Sequence, residues 1–151
     1  MLIRMPVLKE IFPDARYIYI KRDPLFVAQS IYLARKKNLS DIRAEWWSVP
    51  FPGYEQMAGS PVEQQIAHQV AQLQRLIEED LKGIDDNNII ELEYESLNLQ
   101  SIRESLGSFL KATIRKGFHI DTIEMHNRNS KKLDDPTLQR LQSEMNRIFE
   151  E

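Results

Sequence analysis

The chain has no cysteine. That excludes a disulfide framework and any thiolate metal site. Its three histidines, His68, His119 and His126, are too scattered to form a metal-ligand pattern. No apolar run approaches the length of a bilayer span. The first residues, Met1 to Pro6, lack the apolar core of a signal peptide. A soluble, intracellular protein is expected, cytoplasmic by default and with no membrane span and no metal. Neither sign of charge dominates: the net charge is -3 and the pI is near 5.7. That balance argues against a nucleic-acid partner but leaves room for a local basic pocket. Glycine is scarce, with five residues at Gly53, Gly59, Gly83, Gly107 and Gly117. None of them joins a strand to a helix with a lysine following, so no Gly-rich phosphate loop of the Gly-x-x-Lys type is present.

What is present is enough apolar material for one domain. The 151 residues are 42% hydrophobic, which predicts a single folded unit over residues 1–151. Val7 to Phe12 reads as the end of a short helix, stopped by Pro13. Tyr17-Ile18-Tyr19-Ile20 is β-branched and aromatic throughout, which predicts a strand buried on both faces. Asp23 suits an N-cap, with Pro24 at the first helical position of a helix to about Lys37. Its inward face is expected to carry Phe26, Val27, Ile31 and Ala34. Residues 38–59 break the periodicity and place Trp46, Trp47, Phe51 and Tyr54 among prolines and glycines. A helix then starts at Ser60-Pro61-Val62-Glu63, read as a capping box, and runs to about Lys82 with Gly83 as its C-terminal cap. Its apolar stripe is Ile66, Val70, Leu73, Leu76 and Ile77. Asn88 to Tyr94 reads as a second strand, and Ser96 or Asn98 opens a helix to about Ala112. Asp135-Pro136 opens the last helix. This order is α/β. Two strands are few for such a sheet, and Phe118 to Ile123 offers only a weak third. The shortage implies that part of the sheet is missing, or is supplied by another chain or a second copy, as in a homodimer.

The candidate site lies at the end of the first strand. Arg22 falls between the strand and a helix N-terminus, where open α/β sheets bind ligands. Free N–H groups and the helix dipole favour an anion there, and a guanidinium binds phosphate through two parallel hydrogen bonds. Ser30, about two turns into the helix, adds a hydroxyl. The plainer alternative pairs Arg22 with a surface carboxylate and uses Ser30 as a small packing residue. Both remain open on the residues alone.

The residues also resemble a known family. Phe12-Pro13-Asp14-Ala15-Arg16, an apolar strand, Arg22-Asp23-Pro24 and then Ser30 are similar to the 3′-phosphate-binding segment of the sulfotransferases, which use the sulfate donor PAPS. Ile89 to Leu97 resembles that family's later strand and its Tyr-Glu-Asp-Leu ending. Asn127 to Lys132, followed by an acidic helix, resembles its C-terminal cofactor loop. The resemblance implies a partial P-loop-type three-layer domain, with a small parallel sheet flanked by helices. It implies that Arg22 and Ser30 hold the 3′-phosphate of PAPS or its product PAP. By the same resemblance Tyr94 lies near the adenine, and Ser130 and Lys131 touch the nucleotide. A packed strand-end tyrosine and a solvated basic loop are the plainer alternatives for those three.

The pattern breaks at the chemistry. Sulfuryl transfer, like phosphoryl transfer, relies on cations that stabilise charge on the transferring and leaving groups. The resemblance implies a lysine-bearing loop upstream, which this sequence lacks. Where the family often has lysine or histidine, two residues before the proline matching Pro6, Arg4 stands here. Arginine stabilises an anion but is no general base near pH 7, because its pKa exceeds about 12. No catalytic base is assigned. The expectation is therefore the C-terminal part of a sulfotransferase, inactive in isolation, with an unknown small-molecule or glycan acceptor bearing a hydroxyl or amine. The competing expectations are a nucleotide-binding module without catalysis and an interaction domain that completes its sheet with a partner. Trp46 and Trp47 line an acceptor pocket in the first reading; the packing alternative makes them a cap over the core.

Overall fold

A computed structural model describes residues 5–111 and 129–150. Among these the elements run α1 (Met5–Ile11), β1 (Tyr17–Lys21), α2 (Pro24–Asn38), α3 (Val62–Leu81), β2 (Ile89–Glu93), α4 (Leu99–Leu110) and α5 (Asp135–Phe149). The chain is mixed α/β, with five helices and a two-stranded parallel sheet among the described residues. Arg4, His119, His126 and the strand suggested at Phe118 to Ile123 lie outside them. No helix among the described residues is long and apolar enough to cross a membrane.

β1 and β2 pair in parallel from Tyr17↔Ile89 to Lys21↔Glu93. A parallel pair needs a long crossover, and α2 and α3 form it. The strand was expected to be buried on both faces, and it is not. Its burial alternates, leaving Ile18 and Ile20 at 45% and 51% exposure. The β-branched composition here marks a strand and not one buried on both faces.

The core sits among α2, α3 and α5. Ala28, Ile66, Ala67 and Leu141 are fully buried there, with Val70, Met145 and Ile148 beside them. Ile66 and Val70 therefore face inward as the stripe predicts. On α2 the inward face is met in part: Val27 and Ile31 pack against the core as expected, but the most deeply buried positions are others. The buried residues are Ala28, Gln29 and Arg35, while Phe26, Val27, Ile31 and Ala34 are only half-buried. Counting apolar positions misses a face that buries polar groups, because those groups are stabilised by partners distant in sequence.

Helix ends follow local chemistry in most places. The Asp23 carboxylate accepts the Leu25 N–H at 2.8 Å, with Pro24 in the first turn. Asn98 and Ser101 form a reciprocal capping box on α4. Asp134 caps α5 through the Thr137 N–H at 3.0 Å. The capping box expected at Ser60 does not form: Pro61 is the N-cap and offers no side chain. Glu63 is instead buried and paired with Arg140 at 3.0 Å. The C-cap of α3 is Lys82, and Gly83 does not adopt a left-handed backbone.

Candidate functional site

The β1–α2 junction brings Arg22 to the carboxyl end of the sheet, and the parallel register brings β2's end beside it. Residues Tyr94 and Glu95 follow directly from β2. The Arg22 guanidinium carbon lies 4.7 Å from the centre of the Tyr94 ring. Such stacking is worth about 0.5–1 kcal/mol at an exposed site. Arg22 Nε donates to Asn129 Oδ1 at 2.8 Å. The Asn129 side-chain amide in turn donates to Glu95 Oε1. Glu95 Oε1 also accepts the backbone N–H of Asp23 at 3.0 Å. Five residues from three distant segments thus form one connected cluster.

A buried glutamine holds the last of those segments in place. Gln29 is 3% exposed on α2. Its amide nitrogen donates to the Ser130 carbonyl at 2.9 Å. Its amide oxygen accepts the Lys132 N–H at 2.7 Å and the Leu133 N–H at 3.3 Å. One side chain therefore satisfies three backbone groups of the 129–133 loop and carries Asn129 to Arg22. Sequence reasoning missed Gln29, Glu95 and Asn129. The signal for Glu95 was its place in the Tyr94-Glu95 pair. Gln29 gave none, since a glutamine on a helix is ordinarily solvated.

The predicted residues distribute unevenly. Arg22 and Tyr94 are in contact. Ser130 and Lys131 are exposed on the tethered loop, one and two residues beyond Asn129. Ser30 is exposed, and its hydroxyl donates to the Phe26 carbonyl at 2.8 Å within the helix. The first turn of α2 is less open than its sequence suggests. Asp23 takes the Leu25 N–H with its carboxylate and the Phe26 and Val27 N–H groups with its carbonyl. The guanidinium is the better donor, since its terminal nitrogens hydrogen-bond no other described residue.

Two carboxylates, those of Asp23 and Glu95, border this cationic point. The Glu95 carboxyl is held below its ordinary range, chiefly by the Asp23 N–H, with help from Asn129 and the Arg22 charge. Below the cluster runs a groove of about 640 Å³ between β1 and the helices. Arg22, Asp23 and Glu95 are among its polar lining residues, and Val27, Ile31 and Leu73 among its apolar ones.

The aromatic loop after α2 packs as a cap. Trp46 meets Phe51 edge-on at 5.7 Å and Tyr54 at 4.9 Å between ring centres. Two buried glutamines of α3 fasten the loop backbone. Gln65 donates to the carbonyls of Arg43 and Ser60, and Gln69 donates to those of Trp47 and Val49. This favours the packing alternative for Trp46 over a pocket lining.

Residues 2–105 match the family model described as the sulfotransferase family. The match covers more than half of the chain, and the chain belongs to the sulfotransferase family. It takes in the Arg22–Ser30 segment and the Tyr94 strand end, and it stops short of the 129–133 loop. Searches of curated proteins and of solved structures found no match.

Proposed function

We propose that this domain binds the 3′-phosphate of PAPS or PAP through Arg22, as part of a protein that transfers a sulfuryl group to a hydroxyl or amine acceptor. The observation that carries this reading is the Arg22 guanidinium, held at the strand end by Asn129 and Tyr94, with terminal nitrogens that hydrogen-bond no described residue. The donor set suits a phosphate: a planar fork for bidentate bonding, the Ser30 hydroxyl once it turns from Phe26, and Lys131 and Ser130 on the tethered loop. Tyr94 offers its ring to the nucleotide. PAPS supplies the sulfuryl group in such chemistry; these residues bind and orient the donor.

Residues 1–151 form one unit in this reading, acting in the cytoplasm. They contain no Gly-x-x-Lys loop, so the cation that stabilises the leaving group is absent from this sequence. The isolated chain is expected to bind nucleotide and to transfer little or no sulfate.

The test is thermal unfolding with adenosine 3′,5′-bisphosphate. Ligand at about 100 times its dissociation constant stabilises by about 2.7 kcal/mol. At roughly 2–4 °C per kcal/mol for a domain of this size, the melting point rises by several degrees. Arg22→Ala should abolish the rise. A well-folded wild type that shows no rise overturns the reading.

A second reading rests on the two-stranded sheet, short for an α/β domain among the described residues, whose edge strands could pair further. There the domain is an interaction module that completes its sheet with a partner or a second copy. Light scattering at micromolar concentration discriminates: this reading expects a dimer, and a clean monomer counts against self-pairing.

A further inference from the structure

The 3′-phosphate reading leaves the role of Glu95 unstated, and the geometry gives it one. Its carboxylate oxygen accepts a backbone N–H at the strand–helix junction and the Asn129 amide. The same Asn129 holds Arg22 through its other atom. Those are the bonds an oxygen of a bound anion would make at this point: a junction N–H, a side-chain amide and an adjacent guanidinium. Anions favour a helix N-terminus for the same reasons. Glu95 is also exposed, so water is available to the carboxylate if it swings away.

We propose that Glu95 is an internal stand-in for the ligand anion: it closes the Arg22–Asn129 cradle in the free protein and must leave, or be neutralised, when a phosphate enters. It is a specificity-determining residue, not a catalytic one. A weakly charged or neutral group gains too little from Arg22 to displace it. A phosphate, with up to two negative charges and three acceptor oxygens, outcompetes one carboxylate at a bidentate guanidinium. The cradle thus rejects weak ligands at some expense in affinity. The depressed pKa of the Glu95 carboxyl agrees with this, since a carboxylate in an anion seat stays ionised.

This inference rests on the 3′-phosphate reading, and one titration separates the two. Adenosine 3′,5′-bisphosphate is titrated calorimetrically into the wild type, Glu95→Gln, Glu95→Ala and Arg22→Ala at fixed low salt. Removing the competing charge should tighten binding about tenfold in both Glu95 variants, on the order of 1.4 kcal/mol. Melting points without ligand confirm that each variant is folded. If the wild type binds in an Arg22-dependent way and both Glu95 variants bind equally or more weakly, the inference falls and the 3′-phosphate reading stands. If neither the wild type nor the Glu95 variants bind, or if Arg22→Ala binds as well as wild type, both fall.

Discussion

Arg22 and Arg35 stand at opposite ends of α2 and meet opposite surroundings. Arg22 is half-buried, stacked on Tyr94 and bordered by the carboxylates of Asp23 and Glu95. Arg35 is fully buried and has no carboxylate partner among the described residues. Its terminal nitrogens donate to Gln65 Oε1 at 2.8 Å and Gln69 Oε1 at 3.2 Å. Its guanidinium lies 4.6 Å from the centre of a Trp46 ring. Burial lowers its pKa to about 10, which still leaves it charged near neutrality. Neutral amides, a π face and the negative end of the helix dipole together tolerate the charge. The two sites teach that one side chain serves two ends. Where solvent and carboxylates lie close by, as at Arg22, the guanidinium keeps terminal nitrogens that bond no described residue. Where only fixed neutral dipoles surround it, it becomes a pin.

The comparison breaks hardest at Arg35. Arg35→Ala leaves two buried glutamine oxygens unpaired and empties the volume of a long side chain. Each orphaned acceptor costs about 1–3 kcal/mol, and large-to-small core changes cost about 2–5 kcal/mol. Relief from burying a charge offsets part of this, so a net loss of about 3 kcal/mol is expected in denaturant titrations. Tryptophan fluorescence should shift red as Trp46 loses its packing. A stable variant with unchanged fluorescence would show that the pin is dispensable.

Gln29→Leu is the next largest. It keeps apolar bulk but strands the Ser130 carbonyl and the N–H groups of Lys132 and Leu133. A loss of about 1–3 kcal/mol is expected, with faster hydrogen exchange at Lys132 and Leu133. Unchanged exchange at those two amides would mean the loop holds without its tether. Arg22→Ala should have the smallest stability effect, since it removes a half-buried ring contact and one hydrogen bond. Its effect should appear in the ligand-induced melting shift instead. That inversion, large on stability at Arg35 and large on ligand response at Arg22, is the sharpest form of the comparison.

Sequence legibility followed the same divide. The Tyr17–Ile20 strand, the Asp23-Pro24 helix start, the second strand and the Asp135-Pro136 helix start were readable, and the start of α4 was readable to within Ser96 or Asn98, of which Asn98 is the cap. Each rests on residues within one turn or one strand, where sterics and capping act locally. The position of Arg22 between a strand and a helix was readable because both elements are locally signalled. The failures lie where distant segments meet. Glu63 left its expected capping box for Arg140, 77 residues away. The α2 face also buries polar groups because Gln29 found partners in the 129–133 loop and Arg35 found them on α3.

The α/β order, most element starts and the position of a cationic residue at the strand end follow from the chain alone. These depend on neighbours in the chain, whose spacing is covalently set. Only the tertiary structure decided that Gln29 tethers the 129–133 loop, that Asn129 links Arg22 to Glu95, and that Arg35 is buried among amides. Those bonds join residues up to 107 positions apart. Their formation depends on the packing of α2 against α3 and α5, which local periodicity does not encode.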